Sequence, residues 1–136
     1  PVSLDYPLLL EELPEANILA YSTETVIAEK MHAIIDLADQ SSRMKDYYDI
    51  YHLFTSFKYD NTILQDAINR TFENRHTLYN ADTMFFRKDF PNHPQMQLRW
   101  PAFLKKATIK NSLSFSEVAH WLQEALMPYW EAYGRM

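Results

Sequence analysis

Apolar residues recur at the spacing of an α-helix in five stretches of the chain, and these stretches predict its architecture. The first two stretches are residues 23–38 and 43–57, and the third is residues 62–75. A fourth begins near Pro94, and the last follows Ser114. The pattern indicates a mostly α fold, a compact helical bundle of about five helices.

Residues 1–21 precede these stretches and have a different character. They contain three prolines between short apolar runs, which favours extended segments over helices. We interpret residues 1–21 as a short extended or β lead.

Polar residues and prolines set the predicted ends of the helices. Ser22 or Thr23 can cap the first helix, and Asp60 or Asn61 the third. The segment Ser114-Phe115-Ser116-Glu117 matches a capping box at the start of the last helix.

Two prolines fall inside predicted helices. Pro101 is expected to kink or restart the fourth helix, and Pro128 to end the last one before a final turn, because proline lacks the N–H that a helix interior uses.

Charged residues interrupt the apolar faces of the first two helices. At about 100° per residue, Lys30 falls within the apolar face of the first helix and Asp46 within that of the second. Asp49 lies at the edge of that second face, where it could instead face water. Buried charges are normally paired or functional, so these residues form either a functional site or an ion pair that joins two helices.

Composition narrows the range of functions. The chain has 136 residues, of which 47% are hydrophobic, and this argues for one folded domain. A single glycine disfavours glycine-rich phosphate loops, and the lack of cysteine excludes disulfides and thiolate zinc sites in this sequence. No secretory signal pattern or long apolar run occurs, so we expect a cytoplasmic protein without membrane association. The net charge of −5 speaks against this segment alone being an electrostatic binder of nucleic acid, and we expect no DNA partner.

Three segments resemble the AbiEii/AbiGii-type nucleotidyltransferase toxins of type IV toxin–antitoxin, abortive-infection systems. Residues 21–34, YSTETVIAEKMHAI, resemble the ETxxAEKxxA segment of that family, and residues 43–51, RMKDYYDIY, resemble its RxKDxxD segment. Residues 98–104, LRWPAFL, are similar to its late tryptophan-containing helix. The order of the segments is that of the family.

The resemblance implies the helical C-terminal half of a DNA polymerase β-like nucleotidyltransferase. Such an enzyme would transfer a nucleoside monophosphate from an NTP to an acceptor such as tRNA, with Mg²⁺ as cofactor and an antitoxin as partner. Lys30, Asp46 and Asp49 match its catalytic residues, and Arg43 and Glu29 are candidates for binding substrate.

The sequence departs from the family pattern before Lys30. Neither the Gly-Ser or Gly-Gly turn nor the Asp-x-Asp pair that holds Mg²⁺ and NTP occurs there. We therefore expect residues 1–21 to belong to a missing N-terminal nucleotidyltransferase domain and residues 22–136 to form a C-terminal helical domain. Such a fragment is expected to be inactive alone and to bind neither Mg²⁺ nor NTP. The alternative is a non-catalytic helical domain that binds an antitoxin or another protein.

Two further patterns have a functional and a structural interpretation. Glu29, His32 and Asp36 could approach a metal ion, but a solvated polar face fits their spacing better. The aromatic residues of the second helix could stack on RNA bases, although core packing is the more common role. They are Tyr47, Tyr48, Tyr51, Phe54 and Phe57.

Overall fold

A computed structural model describes residues 22–110 and 112–136, and the predicted lead over residues 1–21 lies outside this range. Within it the chain is mostly helical, with no β-strand. The α-helices are α1 (Thr23–Leu37), α2 (Met44–Ser56), α3 (Asn61–Asn74), α4 (Pro94–Lys106) and α5 (Phe115–Gly134). Short 3₁₀ turns occur at Ala38–Gln40, Met84–Phe86 and Phe90–Asn92.

Side-chain caps begin three of the helices where the sequence predicted them. The Ser22 hydroxyl and the Asp60 carboxylate each accept a hydrogen bond from the backbone N–H three residues later, at 3.1 Å and 3.0 Å. Ser114 and Glu117 form the predicted capping box at the start of α5. These bonds satisfy N–H groups that have no partner within the helix.

The core lies where α1 packs against α2 and α3, and α5 crosses α3 and α2. Phe85 and Phe90, in the connection between α3 and α4, are buried in it. Trp100 and Trp130 are also buried, and Trp121 packs on the core from its edge. The core therefore packs against one side of α1 and α2. This packing fixes the position of the two helices relative to each other.

The predicted restart at Pro101 and the predicted end of the last helix at Pro128 are wrong. Each proline lies inside one uninterrupted helix, and α5 runs on from Pro128 to Gly134. Pro128 cannot donate a hydrogen bond to the carbonyl of Glu124, but both residues are exposed, so water can satisfy that carbonyl. The apolar residues beyond Pro128, including the buried Trp130, hold the last turns against the core.

Three apolar residues that share the helical spacing are exposed instead of buried. Leu98 is 73% exposed because it lies about 200° around α4 from both Met96 and Trp100, which define the buried face. Ile63 and Leu37 lie at the edges of the buried faces of α3 and α1 and are 52% and 39% exposed. Helical spacing located the helices correctly. It did not distinguish side chains at the edge of a buried face, or opposite it, from side chains in the core.

Among the helices described here, none is both long enough and apolar enough to span a bilayer.

Candidate functional site

The first two helices bring the predicted charged residues together. The Nζ of Lys30, on α1, donates a hydrogen bond to Oδ1 of Asp46 on α2 at 2.9 Å. The same ammonium lies 3.3 Å from Oδ2 of Asp49, one turn further along α2. The expectation that a cation and carboxylates from neighbouring helices meet is therefore confirmed, and we call Lys30, Asp46 and Asp49 the charged cluster.

The charged cluster is buried. Lys30 is 7% exposed, Asp46 is 2% exposed and Asp49 is 0% exposed. The possibility that Asp49 faces water is wrong, because Asp49 is fully buried and Lys30 reaches it from α1. Three charged groups removed from water in one place are uncommon, and such sites are stabilised by pairing or retained for function.

Two further cations border the charged cluster on α2. Nη2 of Arg43 lies 3.5 Å from Oδ1 of Asp46, and Nζ of Lys45 lies 3.9 Å from Oδ2 of Asp49. The Arg43 side chain is 56% exposed, whereas that of Lys45 is 16% exposed. Arg43 thus extends the charged cluster to the protein surface, where a negatively charged ligand could reach it.

The connector between α1 and α2 is fixed by hydrogen bonds that sequence inspection missed. Nη1 of Arg99, on α4, donates to the carbonyls of Asp39 and Ser41 at 2.7 Å and 3.0 Å. The Ser41 hydroxyl accepts from the backbone N–H of Arg43 at 2.9 Å. These bonds set how α2 leaves α1, and therefore how Asp46 faces Lys30. Arg99 belongs to the LRWPAFL segment, but nothing in its local pattern predicts a partner 60 residues away.

Burial and charge act in opposite directions on Asp46. Burial raises the pKa of its carboxyl group, and the positive charges of Arg43 and then Lys45 partly oppose that rise. The hydrogen bond from Lys30 also favours the ionised carboxylate. A carboxyl group with opposed influences of this kind is typical of a functional site, although structural ion pairs show them too.

Glu29 lies apart from the charged cluster. Its Oε2 accepts a hydrogen bond from Nη2 of Arg75 at 2.6 Å, and the Glu29 side chain is 44% exposed. His32, on the same side of α1, packs its ring edge against Phe72 with ring centroids 5.5 Å apart. The structure therefore does not bring Glu29 into contact with Arg43 or with the charged cluster, the residues with which the resemblance grouped it.

The described residues do not provide a metal site. They contain no group of three histidine, cysteine, aspartate or glutamate side chains that could hold a metal ion, and this includes Glu29, His32 and Asp36. The Asp46 and Asp49 carboxylates face Lys30, so the residues described here do not fit the Mg²⁺ that the resemblance implies.

The aromatic residues of α2 divide into two groups. Tyr47 and Phe54 are buried in the core, as the structural interpretation expects. Tyr48 and Tyr51 are only partly buried and pack on the edge of the core.

Comparison with known proteins gives one match. The model of the family described as "Nucleotidyl transferase AbiEii toxin, Type IV TA system" matches residues 1–131. Neither the curated proteins nor the solved structures contain a match to this chain. Because the match covers nearly all of the sequence and agrees with the motifs around Lys30 and Asp46, the chain belongs to the AbiEii nucleotidyl transferase toxin family of type IV toxin–antitoxin systems.

Proposed function

We propose that this chain forms the helical part of a nucleotidyltransferase toxin that moves a nucleoside monophosphate from an NTP to an RNA acceptor such as tRNA. Membership of a type IV toxin–antitoxin family implies an antitoxin partner. The observation that carries the proposal is the buried meeting of Lys30 with Asp46 and Asp49.

The arrangement suits the charge that develops during this reaction. In nucleotidyl transfer an acceptor oxygen bonds to the α-phosphorus, the acceptor hydroxyl loses its proton, and pyrophosphate leaves. An ammonium held by a packed helix can stabilise phosphate charge with little reorganisation. Lys30 is held in this way, because its stem is buried in α1 and two carboxylates restrict its head.

We assign the neighbouring residues to positioning and proton transfer. Asp46 or Asp49 would orient Lys30, and one of them would accept the proton of the attacking hydroxyl. Arg43 is the exposed cation beside Asp46, and it would contact a phosphate group at the surface. None of these roles passes through a metal ion, for which the described residues offer no ligand set.

The proposed organisation places the nucleotide between two domains. Residues 22–136 would be the helical C-terminal domain, and residues 1–21 would lead from a DNA polymerase β-like domain that supplies the remaining catalytic groups. The support for this organisation is the family match and the order of the motifs.

A second candidate function is a non-catalytic helical domain that binds the antitoxin. The same distances favour it, because an ammonium with carboxylates at 2.9 Å and 3.3 Å can serve to join α1 to α2. The two functions differ in what happens to toxicity when the charge of Lys30 is removed from a protein that is still folded.

The experiment expresses the full-length protein in bacteria without its antitoxin and measures growth. Lys30→Ala should abolish toxicity, whereas Lys88→Ala, which alters an exposed lysine, should leave it unchanged. The amount of folded protein is measured in each strain by limited proteolysis of the lysate. If Lys30→Ala remains fully toxic at a normal folded level, the catalytic role of Lys30 is wrong.

An assay in vitro separates the two candidate functions directly. The full-length protein is incubated with total RNA and each of four labelled NTPs, and labelled RNA is measured. Transfer of label that Lys30→Ala loses supports the enzyme. A native protein that transfers no label but still binds its antitoxin supports the interaction domain.

A further inference from the structure

A small cavity opens on the side of α2 that carries its partly exposed aromatic residues. It has a volume of about 190 Å³ and lies between α2 and the connector that precedes α5. Whole ligands of drug size occupy pockets of roughly 300–1,000 Å³, so this cavity suits a single ring system rather than a complete cofactor.

Three aromatic side chains form one wall of this cavity: Tyr48, Tyr51 and His52. The rings of Tyr48 and His52 have centroids 4.4 Å apart, and those of Tyr51 and His52 are 5.5 Å apart and nearly perpendicular. Trp121 supports Tyr51 from α5, with centroids 5.2 Å apart. A wall of partly exposed rings that are held by their neighbours is a surface on which a flat ring can stack.

The polar groups of the cavity suit a ligand that carries hydrogen-bonding atoms and negative charge. Burial lowers the pKa of His52, so its imidazole is neutral near pH 7 and can both donate and accept a hydrogen bond. Ser112 provides a hydroxyl group, and Lys110 provides a positive charge at the rim.

The cavity and the charged cluster both adjoin α2, although no residue of the charged cluster lines the cavity. Lys45, Tyr48, Asp49 and His52 are spaced at i, i+3, i+4 and i+7, so they share one side of the helix. His52 lies about 5 Å further along the helix axis than Asp49. An NTP with its base beside His52 could therefore extend its phosphates along α2 toward Lys45, which lies about 10 Å away along the axis and borders the charged cluster.

We propose that the cavity of Tyr48, Tyr51 and His52 is a nucleobase site that holds one base by stacking. The inference rests on the proposed function, since the phosphate attached to that base would be the one that approaches the charged cluster. The base could belong to the NTP or to the unpaired end of the acceptor RNA, and the same stacking chemistry would hold either.

The test measures how much a base adds to the affinity of the full-length protein for its ligand. One arm uses a short fluorescein-labelled single-stranded RNA and the same RNA with abasic ribose at each position. The other arm uses the four NTPs and ribose 5-triphosphate as competitors. Because stacking is worth a factor of about 5 to 150 per base, binding in at least one arm should weaken by that factor when the base is removed.

Variants of His52 test whether the dependence of binding on the base arises in the cavity. His52→Ala should lose most of the dependence on the base, and His52→Phe, which keeps a flat ring, should retain it. His120→Ala is the matched control, because His120 is exposed on α5 and lies outside the cavity. The urea midpoint of each variant shows that it is folded.

A measurement on the unaltered protein keeps the test independent of folding defects. With labelled tyrosine and histidine rings, NMR signals of Tyr48, Tyr51 and His52 should shift on adding the base-containing ligand and not on adding its abasic counterpart. Equal affinity with and without the base in both arms, or shifts that miss these three rings, would overturn the proposal.

Failure of this inference is distinguishable from failure of the proposed function. Base-dependent binding in a protein whose Lys30→Ala variant stays toxic contradicts catalysis by Lys30 and leaves the cavity assigned. Loss of toxicity in Lys30→Ala without any dependence of binding on the base contradicts only the nucleobase site.

Discussion

Replacing Lys30 by methionine should destabilise the protein by about 3 kcal/mol. The substitution keeps an apolar stem of similar length but removes the ammonium that lies 2.9 Å from Asp46 and 3.3 Å from Asp49. The side chains of these three residues are 9%, 4% and 0% exposed, so water does little to solvate the carboxylates left behind.

The magnitude follows from the partners that remain. Breaking a buried ion pair by removing one member costs about 3–5 kcal/mol, because the other charge stays buried. Arg43 at 3.5 Å and Lys45 at 3.9 Å still face the two carboxylates after the substitution. We therefore expect the lower end of the range, and this loss should occur whether or not Lys30 also contacts a phosphate.

A double variant that removes both members of the Lys30–Asp46 ion pair tests this pair separately. Lys30→Met combined with Asp46→Asn removes one charge of each sign, while Asp49 keeps its contact with Lys45. This double variant should recover about 2 kcal/mol relative to Lys30→Met alone, since replacing both members of a buried pair is often nearly neutral.

The assay is urea unfolding followed by circular dichroism, with the free energy of unfolding taken by linear extrapolation. Lys88→Met, which alters an exposed lysine, is the matched control and should change the free energy by less than about 0.5 kcal/mol. A Lys30→Met protein as stable as the control would refute the buried ion pairs. So would a double variant that is less stable than either single variant.

Two further predictions concern α1 and the connector that follows it. Burial, and then the charge of Arg75, lower the pKa of His32 below its usual 6.5, so protonation favours the unfolded chain. Stability should be complete above about pH 6.5 and fall as the pH drops through the lowered value. His32→Gln should reduce the difference in urea midpoint between about pH 7.5 and pH 5, and an unchanged difference would contradict this assignment. Arg99→Met should cost about 2 kcal/mol by unfolding assay, since Arg99 donates to the carbonyls of Asp39 and Ser41; a loss below about 0.5 kcal/mol would show that the connector does not depend on it.

Local pattern was sufficient for the helices and for the central contact of the site. Apolar spacing located the first three helices, and the starts of the last two, to within a residue or two, and the caps at Ser22, Asp60 and Ser114 form as predicted. Lys30 and Asp46 interrupt the apolar faces of adjacent helices, and two such faces that pack together bring their opposite charges into contact.

Long-range contacts were not predictable from local pattern. Glu29 pairs with Arg75 across 46 residues, and Arg99 bonds Asp39 across 60. The spacing of residues along one helix does not encode which distant element covers it. For the same reason the pattern of α2 alone did not predict the burial of Asp49. This residue lies at the edge of the apolar face of its own helix, and Lys30 of α1 covers it.

Neither Pro101 nor Pro128 ends the helix in which it lies. The rule that proline ends a helix considers only local effects, a lost hydrogen bond and a clash of the ring with the carbonyl four residues earlier, which together cost roughly 3 kcal/mol in a helix interior. In α5 the apolar residues after Pro128, above all the buried Trp130, hold the continuing turns against the core. Tertiary packing therefore outweighed the local penalty.

The most direct test of the central claim is the rate at which the full-length protein transfers labelled nucleoside monophosphate to RNA. It compares the native protein with the Lys30→Met and Asp46→Asn double variant, at a temperature where both are equally folded. If the charged cluster is catalytic, the double variant should be slower by about 10²–10³-fold, the effect of losing one electrostatic stabiliser. A double variant that transfers label at the native rate would contradict the account and leave Lys30 and Asp46 as a purely structural ion pair.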